Sequence, residues 1–260
     1  MLGLERPPRW AILLLVALVA ANAALFAYLF LRPDPVDPFA GRPAPAAATS
    51  GSARQTPPAE PVTEEPAATD EPPVLAVYGD GYSTGSTLGG QGAAGWPALV
   101  AERLDAELRL NAVPMAGFAR AGSTGQDFAD IAAASPVADA DVTVVFGSRN
   151  DLNTSLASVA AGAAETFARI RTAAPETELV VVGPAWSDAA IPPNLFLLRD
   201  AVEEAALEAG ATFVDPLADG WFATPTGLIA NDGISPTDAG HEFLASRIAP
   251  TVEAALQTAN

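Results

Sequence analysis

The chain has 260 residues, of which 31 are acidic, 13 are basic and none is cysteine, so its formal net charge is −18. Such an acidic chain repels nucleic acid and other polyanions, which excludes them as expected partners. Without cysteine there are no disulfides and no lipid-modified cysteine, so the fold depends on its hydrophobic core alone.

The first 31 residues predict a membrane anchor. Arg6 and Arg9 precede residues 10–31, which carry no charge. A helix over this stretch is about 33 Å long, and about 30 Å is enough to cross the hydrocarbon core of a bilayer. Arginines before such a span indicate a cytoplasmic N-terminus. We therefore expect residues 1–9 to be cytoplasmic, residues 10–31 to form a single transmembrane signal anchor, and the rest of the chain to lie outside the cell membrane.

A cleaved signal peptide is the competing interpretation of the same residues. Ala21, Asn22 and Ala23 resemble a small-residue cleavage site. The apolar stretch continues past that site through Leu25 to Phe30, which favours a retained anchor. The sequence leaves open whether the chain is cleaved at Ala23.

Residues 32–73 have the composition of a disordered linker. They contain eleven of the 24 prolines together with many alanines, and their apolar residues show no helical or strand period. A flexible chain of this length has ends about 35 Å apart on average. We therefore expect this segment to hold the following domain clear of the membrane surface.

Residues 74–260 predict one α/β domain. These 187 residues are enough to bury a single core. Apolar runs alternate with alanine-rich stretches, which predicts a three-layer α/β/α fold with a parallel sheet of about five strands. The predicted strands are Val74–Tyr78, Leu108–Val113, Val142–Phe146, Leu179–Val182 and Thr212–Val214. The predicted helices are Trp96–Glu107, Leu152–Ala173, Leu195–Ala209 and Thr237–Gln257.

A tight turn of Gly79, Asp80 and Gly81 closes the first predicted strand. Open α/β sheets bind their ligands at this carboxyl edge, so the turn is a candidate site. Three later segments carry further candidate residues: RAGSTGQDF with Gly122, VTVVFGSRNDL with Asn150, and NDGISPTDAGH with Asp232 and Ser235.

In their order these segments resemble the SGNH (GDSL-type) hydrolase family, whose first block reads Gly-Asp-Ser and whose last reads Asp-x-x-His-Pro. The resemblance implies an ester hydrolase that uses a serine nucleophile, a histidine base and an aspartate. At the matching positions this chain has Gly81 for the nucleophile and Ser235 for the histidine, while Asp232 is retained. The catalytic triad is therefore incomplete.

The resemblance also implies an oxyanion hole made of the Gly81 N–H, the Gly122 N–H and the Asn150 side chain. We therefore expect a catalytically impaired pseudo-hydrolase that binds an acylated or carboxylated group of the cell envelope, such as an acylated glycan or a small ester. One alternative is a non-catalytic scaffold for envelope proteins. The other is an active esterase that uses displaced residues, Ser83 and His241.

Ser83 and His241 also have simpler interpretations. Ser83 follows the turn, where a hydroxyl commonly satisfies backbone N–H groups, and its side chain is expected to point away from position 81. His241 lies on the last predicted helix, about 9 Å along the helix axis from position 235. We expect it to be a surface or packing histidine.

Two further residues remain open. Arg149 is a candidate contact for an anionic ligand, or it pairs with a carboxylate such as Asp151. Asp232 is expected to hydrogen-bond Ser235 or nearby backbone N–H groups. The spacing of histidine and acidic residues suggests no metal site, and no glycine-rich loop is followed by lysine, so we expect neither a metal nor another cofactor.

Overall fold

The computed structural model describes residues 71–147, 149–224 and 226–259. The predicted cytoplasmic segment 1–9, the predicted anchor 10–31 and all but the last three residues of the predicted linker 32–73 lie outside this range. None of the helices within the described ranges has both the length and the hydropathy needed to cross a membrane.

Five parallel strands form the central sheet, as the sequence predicts. They are β1 Val74–Gly79, β2 Glu107–Ala112, β3 Val142–Phe146, β4 Glu178–Val182 and β5 Thr212–Val214. Their order is β2-β1-β3-β4-β5, and every neighbouring pair is parallel. The apolar strands β1 and β3 lie inside the sheet and are buried along their whole length, which explains their continuous hydrophobic runs.

The helices are α1 Gly81–Thr84, α2 Trp96–Arg103, α3 Phe128–Ala134, α4 Leu156–Ala173, α5 Pro193–Glu208 and α6 Asp238–Ala259. Helix α3 was not predicted from the sequence. The carboxylate of Asp127 caps its N-terminus by accepting a hydrogen bond from the Asp130 N–H.

All four predicted helices differ from the structure at one or both ends, by one or two residues in α5 and α6 and by four residues in α2 and α4. Helix α4 begins at Leu156 rather than at Leu152, because Ser155 caps it and a separate 3₁₀ turn occupies Arg149–Asp151. Helix α2 ends at Arg103 rather than at Glu107, because β2 begins at Glu107.

Each face of the sheet packs against its own set of helices. Alternate residues of β1 belong to different cores, with Ala76 and Tyr78 on one face and Leu75 and Val77 on the other. The first core contains Phe128 of α3, Phe167 of α4 and Leu198 of α5. The second contains Trp96 of α2 and both Leu244 and Ile248 of α6. The domain is therefore the expected three-layer α/β/α arrangement.

Candidate functional site

A cleft of about 440 Å³ lies at the carboxyl edge of the sheet. The loops after β1, β2 and β3 meet there with the loop that precedes α6. Its lining includes Gly81, Met115, Arg149, Asn150, Ile234 and Ser235. The cleft therefore brings together four of the residues singled out from the sequence, namely Gly81, Arg149, Asn150 and Ser235.

Gly81 is the first residue of α1, directly after the N-cap residue Asp80. The N–H of a first helical residue has no acceptor within the helix, so this donor is available to a ligand in the cleft. Gly81 is not one of the glycines with positive φ, and a Cβ built on it would meet no atom within 4 Å. The turn therefore has room for a side chain at the position where the family carries its nucleophile.

The Asp80 side chain stabilises the turn after β1 through hydrogen bonds. Its carboxylate is buried and accepts hydrogen bonds from the Tyr82 N–H at 2.9 Å and from Asn150 Nδ2 at 2.6 Å. Burial raises the pKa of the Asp80 carboxyl to about 6, although these hydrogen bonds and the charge of Arg149 oppose the rise. Asp80 thus joins the loop after β1 to the loop after β3.

Asn150 lines the cleft, but its amide hydrogens are engaged within the protein. Besides Asp80, Nδ2 donates to the backbone oxygen of Ala116 at 2.8 Å. A primary amide has only two hydrogens, so none is left for a ligand in this arrangement. The structure therefore differs from the sequence-based expectation of a free oxyanion donor at Asn150.

Gly122 does not line the cleft, and its N–H donates to the backbone oxygen of Gln126 at 2.8 Å. A Cβ at Gly122 would lie 2.8 Å from the nitrogen of Ala116, so Gly122 packs against the loop after β2. The residues of that loop that line the cleft are Pro114 and Met115. Met115 has a φ of 66°, which is uncommon for a residue other than glycine, and sequence reasoning did not identify it.

Ser235 and Asp232, which the sequence resemblance matches to a histidine and an aspartate, form a hydrogen-bonded pair. Ser235 Oγ donates to Asp232 Oδ2 at 2.6 Å. The other carboxylate oxygen accepts from the N–H groups of Ile234 and Ser235. These hydrogen bonds hold the pKa of Asp232 below its ordinary value, and the bond from the Ser235 hydroxyl makes the largest contribution. The predicted hydrogen bonds of Asp232 are confirmed.

The displaced pair of Ser83 and His241 is not assembled. Ser83 is buried under β1, where a Cβ on Gly79 would lie 2.3 Å from its Oγ. His241 is also buried, and its Nδ1 accepts a hydrogen bond from the Trp96 N–H at 3.3 Å. Among the described residues neither Ser83 Oγ nor His241 Nε2 has a hydrogen-bond partner, and neither residue lines the cleft.

His241 is therefore a packing residue, which is one of the two roles that the sequence left open. Its ring lies against Gly90, where a Cβ would come within 2.0 Å of Nε2. Desolvation by burial lowers the pKa of the imidazole to about 4, although the charge of Asp238 opposes the shift. The ring is thus neutral at pH 7 and part of the core between α2 and α6.

Arg149 does not pair with Asp151. Its Nη1 donates to the hydroxyl oxygen of Tyr82 at 3.0 Å, and its guanidinium carbon lies 4.9 Å from the ring centroid of Trp186. The Asp151 carboxylate is buried and accepts hydrogen bonds from the N–H groups of Phe118 and Ala119. Neither Tyr82 nor Trp186 was singled out from the sequence.

Within the described part of the chain, no group of three or more histidine, aspartate or glutamate side chains is arranged to hold a metal ion. The lining of the cleft combines hydrogen-bond donors, a guanidinium and apolar side chains. Arg149 contributes positive charge, and Gly81 contributes a backbone N–H.

A family model and a curated relative indicate one family, and two solved structures have a similar fold. The model of the GDSL-like Lipase/Acylhydrolase family matches residues 77–243. GDSL lipase Rv0518 of Mycobacterium tuberculosis (strain ATCC 25618 / H37Rv) is 38% identical over 186 residues, which cover 68% of this chain and 80% of that protein. The crystal structure of TesA is similar with a TM-score of 0.57 and 19% identity, covering 70% of this chain and 99% of TesA. The lipase/acylhydrolase from Enterococcus faecalis has the same TM-score at 14% identity, covering 70% and 96%.

Proposed function

We propose a non-hydrolytic binding function for this chain, which belongs to the GDSL-like lipase/acylhydrolase family. In this proposal the domain is a pseudo-hydrolase that holds an acylated or carboxylated group in the cleft without turning it over. The observation that carries the proposal is that glycine lines the cleft at position 81 and serine at position 235, where the family has its nucleophile and its base.

The first part of the argument is chemical. Gly81 has no side chain to attack a carbonyl carbon, so no covalent intermediate forms at that position. Ser235 donates its hydroxyl hydrogen to Asp232. The pKa of that carboxyl is lowered, so at neutral pH it is too weak a base to activate a hydroxyl nucleophile. The oxyanion donors that survive loss of a triad leave only about 10³–10⁴-fold catalysis over water, which is poor for an enzyme.

The second part concerns binding. The cleft of about 440 Å³ is open rather than filled by side chains, which favours a ligand-binding role over that of a scaffold that ignores the cleft. The donors that we assign to the ligand are the Gly81 N–H and the Arg149 guanidinium. Gly122 and Asn150 support the loops instead, because their hydrogens are engaged with Gln126, Asp80 and Ala116.

The proposal extends to location. Arg6, Arg9 and the uncharged residues 10–31 support a single-pass anchor with the domain outside the membrane. In that position, an acylated glycan or another acylated component of the cell envelope is the candidate ligand. A relative named a GDSL lipase supports an acyl group as the class of ligand. We also propose that neighbouring envelope proteins are possible partners.

An ester hydrolysis assay tests the proposal directly. We expect the full-length protein to hydrolyse p-nitrophenyl butyrate no faster than its Asn150→Ala variant and a matched control protein. A fluorophosphonate probe, which labels activated serines, should leave the wild-type protein unlabelled. Turnover that is abolished by Ser83→Ala or by His241→Ala would overturn the proposal and establish the displaced esterase instead.

A further inference from the structure

Arg149 is held in a defined position at the wall of the cleft. Its guanidinium lies over the ring of Trp186, with its central carbon 4.9 Å from the ring centroid and 5.8 Å from that of Tyr82. The Tyr82 hydroxyl accepts from Arg149 Nη1 at 3.0 Å and donates to the backbone oxygen of Ile234 at 2.9 Å. Two aromatic rings and one hydrogen bond therefore orient the charge before any ligand arrives.

The charge of Arg149 has no anionic partner in the described part of the protein. No carboxylate oxygen of a described residue lies within 4.0 Å of its nitrogen atoms, whereas Arg103, Arg109, Arg169 and Arg199 all form ion pairs. A guanidinium has five N–H donors, and the hydrogen bond to Tyr82 uses one of them. The other donors have no hydrogen-bond acceptor among the described residues, and we assign them to the ligand.

Asp80, which lines the cleft, and Asp232, three residues before Ser235, are committed to other partners. Asp80 accepts from the Tyr82 N–H and from Asn150. Asp232 accepts from two backbone N–H groups and from Ser235 Oγ. Neither carboxylate forms an ion pair with Arg149, so among the described residues this cation at the cleft is unpaired. The domain is otherwise acidic, since residues 74–260 contain 23 acidic side chains and eight arginines.

The rim of the cleft is apolar. Met115 is 52% exposed and Ile234 is 51% exposed, and both line the cleft together with Pro114 and Pro236. Exposed apolar side chains beside a concave site are typical of ligand contacts. The cleft therefore combines one fixed cation with an apolar border.

We propose that the ligand is a carboxylate that carries a short aliphatic chain, and that Arg149 is its counter-ion while Met115 and Ile234 contact the chain. This inference rests on the proposed function and narrows its ligand class. A carboxylate satisfies the guanidinium through charge-assisted hydrogen bonds, which a neutral ester or alcohol cannot do as well. The domain thus favours the acid that ester cleavage would release over the ester itself.

Isothermal titration calorimetry on the full-length protein tests this with sodium hexanoate, 1-hexanol and sodium glucuronate. Hexanoate should bind at least about tenfold more tightly than hexanol, which has the chain without the charge, because hydrogen bonds to charged groups are the stronger ones. Hexanoate should also bind more tightly than glucuronate, which has the charge without the chain. Equal affinity for hexanoate and hexanol would refute the role of Arg149, and equal affinity for hexanoate and glucuronate would refute that of the apolar rim.

Arg149→Gln should weaken hexanoate binding by about tenfold to a hundredfold and leave hexanol binding unchanged. Arg247→Gln is the matched control, because Arg247 also lies over an aromatic ring, that of Phe243 at 5.3 Å, but is exposed and does not line the cleft. An equal loss in both variants would contradict the inference. If Arg149→Gln does not fold, the wild-type comparison of hexanoate with hexanol still decides.

The outcomes for the two proposals are separable. If the protein hydrolyses p-nitrophenyl butyrate and still binds hexanoate through Arg149, the non-hydrolytic function fails while the carboxylate site stands as a product site. If it hydrolyses no ester and binds hexanoate no better than hexanol, the carboxylate inference fails while the non-hydrolytic function stands.

Discussion

If the proposed non-hydrolytic function is correct, placing a serine at position 81 and a histidine at position 235 should produce esterase activity. The change is the double variant Gly81→Ser with Ser235→His. At position 81 a new Cβ meets no atom within 4 Å, and the backbone does not have the left-handed conformation that disfavours serine. The serine hydroxyl would therefore enter the cleft without displacing a neighbour.

At position 235 an acceptor for the imidazole is already in place. Asp232 Oδ2 accepts a hydrogen bond from Ser235 Oγ at 2.6 Å, and the other oxygen is fixed by two backbone N–H groups. An imidazole N–H can replace the serine hydroxyl as donor. The remaining ring nitrogen would then be free to act as the base, which is the arrangement of a serine triad.

The size of the gain follows from three factors. A complete triad acting as a unit contributes about 10⁶-fold. A displacement near 1 Å in an unoptimised site costs about 10²-fold. The Asn150 hydrogens and the Gly122 N–H are all engaged within the protein, so the Gly81 N–H is the one expected oxyanion donor that remains, and each lost donor costs about 10²–10³-fold. The first two factors bound the gain at about 10⁴-fold, and the lost donors place it well below that bound, so we expect a small but measurable gain. Each single variant should show less, because the serine and the histidine are each ineffective alone.

The assay is hydrolysis of p-nitrophenyl butyrate, together with fluorophosphonate labelling of the new serine. A triple variant that adds Asp232→Asn to the double variant is the control, and it should lose both the activity and the labelling. If the double variant has the circular dichroism spectrum of the wild type but neither cleaves the ester nor reacts with the probe, the reasoning from a preserved cleft is refuted.

Two further predictions concern the whole chain. Protease added to intact spheroplasts should release a soluble domain by cutting within residues 32–73, because Arg6 and Arg9 direct the domain outward; full protection of the domain would contradict this topology. His241→Gln should destabilise the domain at pH 7. As the pH falls from about 6.5 to 4, the unfolded wild-type chain takes up a proton on His241 that the buried ring resists, so the wild type loses about 3 kcal/mol of stability that the variant does not lose. The difference between the two free energies of unfolding should therefore shrink by that amount. Urea unfolding across this range measures the difference, and a difference independent of pH would show that the ring is not kept neutral.

The interior strands β1, β3 and β4 could be predicted because they are nearly continuous apolar runs. Strands β3 and β5 have the predicted bounds, β1 and β4 differ from prediction by a single residue at one end, and β2 is shifted by one residue at both ends. Helix α3 could not be identified as readily, because it has only seven residues and follows a glycine-rich loop. Its formation depends on the Asp127 cap and on the packing of Phe128 against Phe118, which are local and tertiary details respectively.

Parts of the site could be read from the sequence, and parts could not. Position in a motif identified Gly81 and Ser235, which both line the cleft. Motif position did not reveal which hydrogens are already engaged, because the partners of Asn150 are 70 and 34 residues away in the chain. The environment of Arg149 was hidden for the same reason. Tyr82 lies in α1 after β1, and Trp186 lies in the loop after β4. Only the folded sheet brings these two side chains to the guanidinium.

Hydrogen bonds within the protein satisfy the two carboxylates near the cleft and keep the surrounding loops ordered. Ser235 gives Asp232 the donor that an imidazole would supply, so the loop before α6 has no unpaired carboxylate oxygen to destabilise it. Asp80 is satisfied in the same way by Asn150 and the start of α1. Among the described residues that line the cleft, Arg149 is the one cation and forms no ion pair, and its position is fixed by aromatic contacts and by the hydrogen bond to Tyr82. Binding specificity can therefore depend on this guanidinium independently of catalysis, and substitution of Arg149 should alter ligand affinity while leaving the hydrogen bonds of Asp80 and Asp232 intact.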